Sequence, residues 1–152
     1  MAESTPISGM SHVAICVRNL DRSLAFYRDL LGMTLEADRE LQAPHISQIT
    51  GFPGTRMRVA NLRVAGLMLE LIQYREPAGE RPALRTCNVG NAHVAFDVED
   101  LPKLCRELSA RGVQFRSEPV AIPSGPLQGG YVVYLSDPDG ITLEFIQRPQ
   151  AA

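Results

Sequence analysis

The sequence predicts an α+β protein built from two copies of a βαβββ module. Two echoes along the chain support this prediction. Residues 12–17 read HVAICV where residues 93–98 read HVAFDV, and residues 66–73 read GLMLELIQ where residues 140–147 read GITLEFIQ. A helix pattern follows the first echo in each half. Because the echoes occur in the same order in both halves, the halves are related modules.

The first module begins with a strand and a helix. Residues 12–17 alternate between two kinds of side chain, which is typical of a strand with two different faces. Asn19 or Asp21 can cap the following helix, and Gly32 stands where a left-handed C-terminal cap is expected. Apolar residues recur at helical spacing between them, namely Leu20, Leu24, Tyr27 and Leu31. The β-favouring runs RMRVANLRV (56–64) and GLMLELIQY (66–74) predict the strands that follow.

The second module repeats this plan. Asp100 is placed to cap a helix, Pro102 falls in its first turn, and Gly112 follows its last turn. The apolar positions of this helix are Leu101, Leu104 and Leu108. The runs VQFRSEPV (113–120), YVVYLS (131–136) and ITLEFIQ (141–147) predict three strands. SDPDG at 136–140 predicts a tight turn between the last two.

Boundaries follow from composition. We expect a loose tail over residues 1–10, module 1 over 11–76, a linker over 77–90 that is rich in proline, glycine and polar residues, and module 2 over 91–148. Within module 1, LQAPHISQITGFPG (41–54) is interpreted as a loop, with His45 exposed on it.

Composition and charge exclude several classes of protein. The 152 residues include 15 Lys plus Arg and 17 Asp plus Glu, so there is no basic excess for binding nucleic acid. No apolar run approaches the roughly 20 residues that cross a bilayer, and the first residues lack a signal-peptide pattern. We expect a cytoplasmic protein with no membrane partner. Its three cysteines show no CxxC spacing, which predicts small buried hydrophobes rather than disulfides or a thiolate site.

The echoed strands contain a duplicated pair of polar residues. His12 and Glu70 stand in the first module at the places that His93 and Glu144 occupy in the second. A carboxylate among apolar strand residues is costly to bury without a partner. If the modules pack about a pseudo-twofold axis, the four side chains converge on one divalent cation, and two coordination positions stay open.

The alternative for any one of these residues is a structural histidine or a solvent-facing glutamate. Repetition of both residue types in both modules favours the metal site. Nitrogen and oxygen ligands without sulfur fit nickel, cobalt, manganese, iron or zinc.

The chain resembles the vicinal oxygen chelate superfamily, which includes glyoxalase I, methylmalonyl-CoA epimerase, extradiol dioxygenases and the fosfomycin and bleomycin resistance proteins. The likeness covers residues 9–148, and its most telling segments are HVAICVRNLDRSLAFYRDLLGM (12–33), MLELIQ (68–73), NAHVAFDVEDL (91–101) and YLSDPDGITLEFI (134–146). The resemblance implies two βαβββ modules whose mixed sheets curl around a central metal cleft. It assigns ligand roles to His12, Glu70, His93 and Glu144.

Two histidines and two glutamates resemble the site of glyoxalase I. This implies a metal-dependent lyase, isomerase or epimerase acting on a small substrate bound through vicinal oxygens. A metal-stabilised enediolate or enolate would form while Glu144 or Glu70 moves the proton. Glyoxalase I has an Arg and an Asn that contact glutathione four residues after its first His and its first Glu. Here those substrate-binding positions are Cys16 and Tyr74, which argues against glutathione as cosubstrate.

Three relatives in this family represent alternatives. Methylmalonyl-CoA epimerase is similar in the first half but has Gln where this chain has Glu70. Tyr134 stands ten residues before Glu144, as the active-site tyrosine does in Fe(II) extradiol dioxygenases, although a fourth protein ligand removes one of their open positions. A non-catalytic drug-binding or resistance protein would use the same cleft to sequester a ligand. Small members of the family pair, so a homodimer is expected.

Overall fold

The computed structural model describes residues 6–80 and 83–149, so residues 1–5 of the predicted tail lie outside the described part. The chain divides into two compact units, and the first ends at Glu80. That boundary falls inside the segment interpreted as a linker. Each unit contains one four-stranded mixed sheet and at least one helix, which confirms the α+β prediction.

Unit 1 begins with β1 (Val13–Cys16) and α1 (Leu20–Leu24), which a π-helical segment (Ala25–Leu30) extends. The elements β2 (Thr34–Leu41), α2 (Pro44–Thr50), β3 (Arg56–Val64) and β4 (Leu67–Glu76) follow. The strand order is β1-β4-β3-β2. β1 runs parallel to β4, and the other neighbours are antiparallel.

Unit 2 repeats this topology. Its elements are β5 (Val94–Asp97), α3 (Leu101–Ala110), β6 (Val120–Ala121), β7 (Tyr131–Ser136) and β8 (Thr142–Gln147). The strand order is β5-β8-β7-β6, with β5 parallel to β8. The first strand of each unit therefore lies beside the last strand of the same unit.

Both helix starts are capped as the sequence predicts. The side chain of Asn19 accepts a hydrogen bond from the Arg22 amide, and Asp100 does the same for Lys103. The glutamine that is repeated in the second echo has the same structural role in both units. Gln73 Oε1 accepts from the Leu20 amide at 3.0 Å, and Gln147 Oε1 accepts from the Leu101 amide at 2.8 Å. Each glutamine thus ties the first turn of a helix to the last strand of its unit.

Side chains alternate along β4 and β8, with apolar ones on the sheet face toward α1 or α3 and the glutamates on the other face. In β4, Leu69 and Leu71 are fully buried, and in β8 Leu143 and Phe145 are buried. The helices contribute buried side chains of their own, namely Leu20, Leu24, Leu101 and Leu108. Since successive strand side chains point to opposite faces, the residues between these apolar ones lie on the other face. Within residues 6–80 and 83–149, no helix is long and apolar enough to cross a membrane.

The interpretation of residues 41–54 as a loop is wrong, because residues 44–50 form α2. Pro44 occupies the first turn of this helix, and Gly51 ends it in the left-handed conformation at φ 76°. Ile46 buries its side chain against Met57 and Val59 of β3. Helical spacing is hard to recognise in a seven-residue segment with one buried apolar residue, which explains the error.

Two further expectations fail. Residues 113–120 form no continuous strand: Phe115 makes one isolated bridge to Leu135, and β6 begins only at Val120. Of the three cysteines, Cys105 is buried but Cys16 and Cys87 are exposed. Cys16 lies on the sheet face opposite α1, and Cys87 lies in a turn between β4 and β5 along the chain. Neither therefore packs in the core.

An arginine on β3 joins three elements of unit 1. Arg58 donates to both carboxylate oxygens of Asp38 on β2, at 2.8 and 2.6 Å, and to Asp21 on α1 at 2.8 Å. The Arg58 guanidinium lowers the pKa of the Asp38 carboxyl below its usual range. Both side chains are more than two-thirds buried, which strengthens the pair relative to a fully exposed one.

We expect Arg58→Met to lower the free energy of unfolding by about 1 kcal/mol at neutral pH. Because the folded-state pKa of Asp38 is lowered, this stabilisation is present above the ordinary aspartate pKa of about 3.9 and is lost as the pH falls through the folded-state value. Urea unfolding at pH 7 and at pH 3 measures the difference. Arg56→Met is the matched control, since its exposed pair with Glu76 contributes less. Equal stability of Arg58→Met and the parent at pH 7 would contradict the expectation.

Candidate functional site

The first predicted pair meets where β1 runs beside β4. Ala14 is opposite Glu70 in the parallel register, and His12 immediately precedes β1. His12 Nε2 lies 3.9 Å from Glu70 Oε1, and the Glu70 side chain is only 18% exposed. Ser11 Oγ is 3.1 Å from the other ring nitrogen of His12, Nδ1. The structure therefore directs Nε2 of the imidazole toward the carboxylate.

The second predicted pair repeats this geometry in unit 2. Ala95 is opposite Glu144, and His93 immediately precedes β5. His93 Nε2 lies 3.0 Å from Glu144 Oε2, and the Glu144 side chain is 16% exposed. In both units the same ring nitrogen faces the same glutamate position. Both glutamates lie on the sheet face opposite the buried leucines, and both side chains are largely buried there.

These two pairs fit a divalent cation by chemistry and by spacing. Two ligand atoms each about 2.1 Å from a shared cation lie about 3.0 Å apart at a right angle and about 4.2 Å apart when opposite. The separations of 3.9 Å and 3.0 Å both fall in this range. Among the described residues, each carboxylate has its histidine as its ion-pair partner. A cation bound at either pair would compensate the burial of the carboxylate of that pair.

Within the described ranges, His, Cys, Asp and Glu side chains form no group of three or more placed to hold a metal ion. The structure thus brings the four predicted ligands together as two pairs, one in each unit. The meeting of the pairs around one cation stays a prediction.

The predicted substrate-binding residues of unit 1 lie on the same face as Glu70. Tyr74 follows Glu70 by four residues on β4, and Cys16 ends β1 opposite Ile72. Tyr74 packs on the apolar cluster of Ile46, Met57 and Val59. Partial burial raises the pKa of the Cys16 thiol, and burial followed by the charge of Cys16 raises the pKa of Tyr74. The groups on this face are thus an exposed thiol and a half-buried phenol.

Tyr134 lies directly across from Glu144 in the β7–β8 register. Its ring centroid is 5.5 Å from that of His93, and the Arg116 guanidinium carbon is 5.9 Å from the Tyr134 ring centroid. Arg116 also donates to Thr142 Oγ1 at 2.8 Å. Tyr134 therefore lies beside the second pair, and its substrate-binding role stays a prediction.

Sequence reasoning missed Asn61, whose Nδ2 donates to Glu70 Oε2 at 3.1 Å. Ala65 and Gly66 both have positive φ, 44° and 84°, as a two-residue hairpin turn requires. A two-residue turn between Val64 and Leu67 fixes the β3–β4 register and pairs Asn61 with Glu70. If that turn at Ala65–Gly66 is recognised in the sequence, the register follows from it, and Asn61 can be placed opposite Glu70.

The raised pKa of Cys16 gives a chemical prediction. At pH 7 we expect iodoacetamide to alkylate Cys16 more slowly than Cys87, because alkylation requires the thiolate and a raised pKa lowers its population. The Cys16 rate should rise with pH beyond the ordinary thiol pKa of about 8.5. Peptide mass spectrometry over a time course measures both sites in one sample. Faster alkylation of Cys16 than of Cys87 at pH 7 would contradict the assignment.

The fold and the two His–Glu pairs define a class of protein: two βαβββ units, each with one imidazole and one carboxylate on the sheet face opposite its first helix. The chain belongs to the glyoxalase/bleomycin resistance protein/dioxygenase superfamily, whose family model matches residues 9–145. The family predicted from the sequence is thereby confirmed.

Comparisons with individual proteins agree with this assignment. The chain is 31% identical to a 2-epi-5-epi-valiolone epimerase from Actinomyces sp. over 93% of this chain and 80% of that protein. It is 30% identical to the lactoylglutathione lyase of Arabidopsis thaliana over 90% of this chain, but it spans only 43% of that protein's length. A glyoxalase family protein from Bacillus cereus shares the fold, with a TM-score of 0.83, 20% identity and 99% of each chain covered. The prediction of an enzyme of the glyoxalase family is confirmed at this level.

Proposed function

We propose that this chain is a metal-dependent isomerase or epimerase of the glyoxalase type that acts on a small hydroxycarbonyl substrate without glutathione. The observation that supports the proposal most is the duplicated His–Glu pair, with a largely buried carboxylate in each unit. His12, Glu70, His93 and Glu144 would hold one divalent cation. When bound, the cation would polarise a substrate carbonyl through two neighbouring substrate oxygens.

The protein's own groups would move the proton. A glutamate carboxylate, Glu144 or Glu70, removes the proton from the carbon beside the carbonyl and returns it to the neighbouring carbon in an isomerisation. In an epimerisation the other glutamate would deliver a proton to the opposite face of the same carbon, because one carboxylate reaches only one face. A largely buried carboxylate beside an imidazole is suited to this transfer.

The surroundings of unit 1 favour a substrate other than a glutathione adduct. Cys16 and Tyr74 offer a thiol and a phenol, and Tyr74 contacts apolar side chains and packs nearly perpendicular to the ring of Phe52. Neither position supplies the arginine or asparagine that contacts glutathione in glyoxalase I. The relative named as an epimerase is similar over most of both chains, which supports the same choice.

Solvent deuterium exchange tests the proposal. The protein is loaded with Mn²⁺, Co²⁺, Ni²⁺ or Zn²⁺ in D₂O, and exchange of the carbon-bound hydrogens of hydroxyacetone and dihydroxyacetone is followed by proton NMR. The hemithioacetal of methylglyoxal and glutathione is the parallel substrate. We expect metal-dependent exchange with a hydroxyketone and little turnover of the hemithioacetal. The reverse preference would contradict the proposal and favour a lactoylglutathione lyase.

A ring-cleaving dioxygenase is the second candidate, because the Tyr134 ring packs against His93. Oxygen consumption with Fe(II) and catechol, without hydroxyketone exchange, would favour it. Absence of both activities, together with absence of bound metal, would favour a ligand-binding protein. We expect a homodimer that resides in the cytoplasm, and sedimentation equilibrium tests the former.

A further inference from the structure

A chain of hydrogen bonds ends on the carboxylate of unit 1. Arg39 on β2 donates from Nη2 to Asn61 Oδ1 at 2.9 Å. Asn61 on β3 donates from Nδ2 to Glu70 Oε2 at 3.1 Å. Asn61 is directly opposite Glu70 in the β3–β4 register, and Arg39 is its diagonal neighbour across β2–β3. The three side chains therefore share one sheet face and lie within reach of one another.

The neighbours of Asn61 fix the orientation of its amide. A guanidinium has only donors, so Arg39 requires the amide oxygen of Asn61. An ionised carboxylate only accepts, so Glu70 requires the amide nitrogen. In the opposite orientation the amide nitrogen would face the Arg39 guanidinium, a donor against a donor, and the amide oxygen would face the Glu70 carboxylate, an acceptor against an acceptor. Asn61 is thereby held as a donor toward Glu70.

Within residues 83–149, unit 2 has no equivalent of this chain of hydrogen bonds. The residue opposite Glu144 is Tyr134, whose ring contacts the imidazole of His93 and the guanidinium of Arg116. Ala92 also stands where unit 1 has Ser11. The contacts around Glu70 are thus a property of unit 1 and not a consequence of the repeated fold.

We propose that Asn61, held by Arg39, is a positioning residue that presents a single oxygen of Glu70 for cation binding; this rests on the proposed metal site. The amide occupies Oε2, which leaves Oε1 on the side of His12 Nε2, 3.9 Å away. Fixing the carboxylate before the cation arrives reduces the conformational entropy lost on binding. Hydrogen bonds of this kind to metal ligands typically change metal affinity by about 10- to 100-fold.

The test measures cation affinity, without substrate, by isothermal titration of the full chain with Co²⁺ and with Mn²⁺. Asn61→Leu removes the donor at nearly constant volume, and Asn61→Gln restores an amide. We expect the dissociation constant to rise about 10- to 100-fold in Asn61→Leu, and to recover in part in Asn61→Gln. Arg39→Met should raise it by a smaller factor. The visible absorption bands of bound Co²⁺ should shift in Asn61→Leu, which a general loss of stability would not cause.

Asn88→Leu is the matched control, because Asn88 donates to the Ala83 carbonyl in a segment that contains none of the four ligands. Its dissociation constant should equal that of the parent. Thermal unfolding of the metal-free variants verifies that each one folds. If the parent binds the cation and Asn61→Leu binds it within about twofold of the parent, the positioning role is wrong and the metal site stands. If the parent binds neither cation, both the positioning role and the proposed function are overturned.

Discussion

Replacing Glu144 by glutamine is expected to lower the rate of substrate proton exchange by about 10²- to 10⁴-fold, the usual contribution of a positioned acid–base group. Glutamine has nearly the same shape and keeps one oxygen, so the change removes the proton acceptor while it disturbs packing little. The Glu144 side chain is 16% exposed, and its Oε2 lies 3.0 Å from His93 Nε2. The measurement is deuterium exchange by NMR under saturating metal.

Glu70→Gln is measured alongside Glu144→Gln. The variant with the larger loss of exchange identifies the glutamate that moves the proton, since a glutamine at the other position can still offer an oxygen to the cation. Glu107→Gln is the matched control, because Glu107 is exposed on α3 and 4.0 Å from Lys103. Parental exchange rates in both Glu70→Gln and Glu144→Gln would contradict acid–base catalysis by the pair.

Removal of the cation is expected to have the largest effect on stability. A ligand that binds only the folded state at a free concentration 1,000 times its dissociation constant stabilises that state by about 4.1 kcal/mol. The two largely buried carboxylates make the effect selective for the folded protein, because exposed carboxylates in an unfolded chain form no comparable site. Thermal unfolding with and without a chelator measures the shift in Tm.

The control for this prediction is the variant that lacks one ligand from each unit, His12→Ala with His93→Ala. Both histidines are partly exposed at the ends of strands, so their removal should leave the fold intact. We expect this variant to unfold at the same Tm with and without chelator. A chelator-dependent shift of parental size in the variant would place the stabilising cation elsewhere.

Local features of the sequence predict much of the fold. Asn19 and Asp100 cap their helices because short polar side chains can accept from the first free amides, and this needs no tertiary information. The period-two alternation likewise predicts which face of β4 and β8 has the glutamates. The repetition in both modules adds the topology, since two similar sequences adopt similar folds.

The failures have physical causes. α2 depends on the burial of Ile46 against β3, which is a tertiary contact that a seven-residue segment does not reveal. Residues 113–120 have strand propensity, but the structure pairs them only at Phe115 and Val120, because β propensity depends on available partners. In the sequence alone Asn61 is only a polar residue of a predicted strand. Its position opposite Glu70 follows from the β3–β4 register, which was not predicted from the sequence.

The ratio of bound cation to protein tests most directly whether the two His–Glu pairs serve one cation. The ratio is determined by elemental analysis after equilibration with Mn²⁺ or Co²⁺ and gel filtration, for the parent and for His12→Ala and His93→Ala separately. We predict one cation per chain in the parent and close to none in either variant. Two cations in the parent and one in each variant would show two independent sites, and would contradict the shared centre on which the proposed function depends.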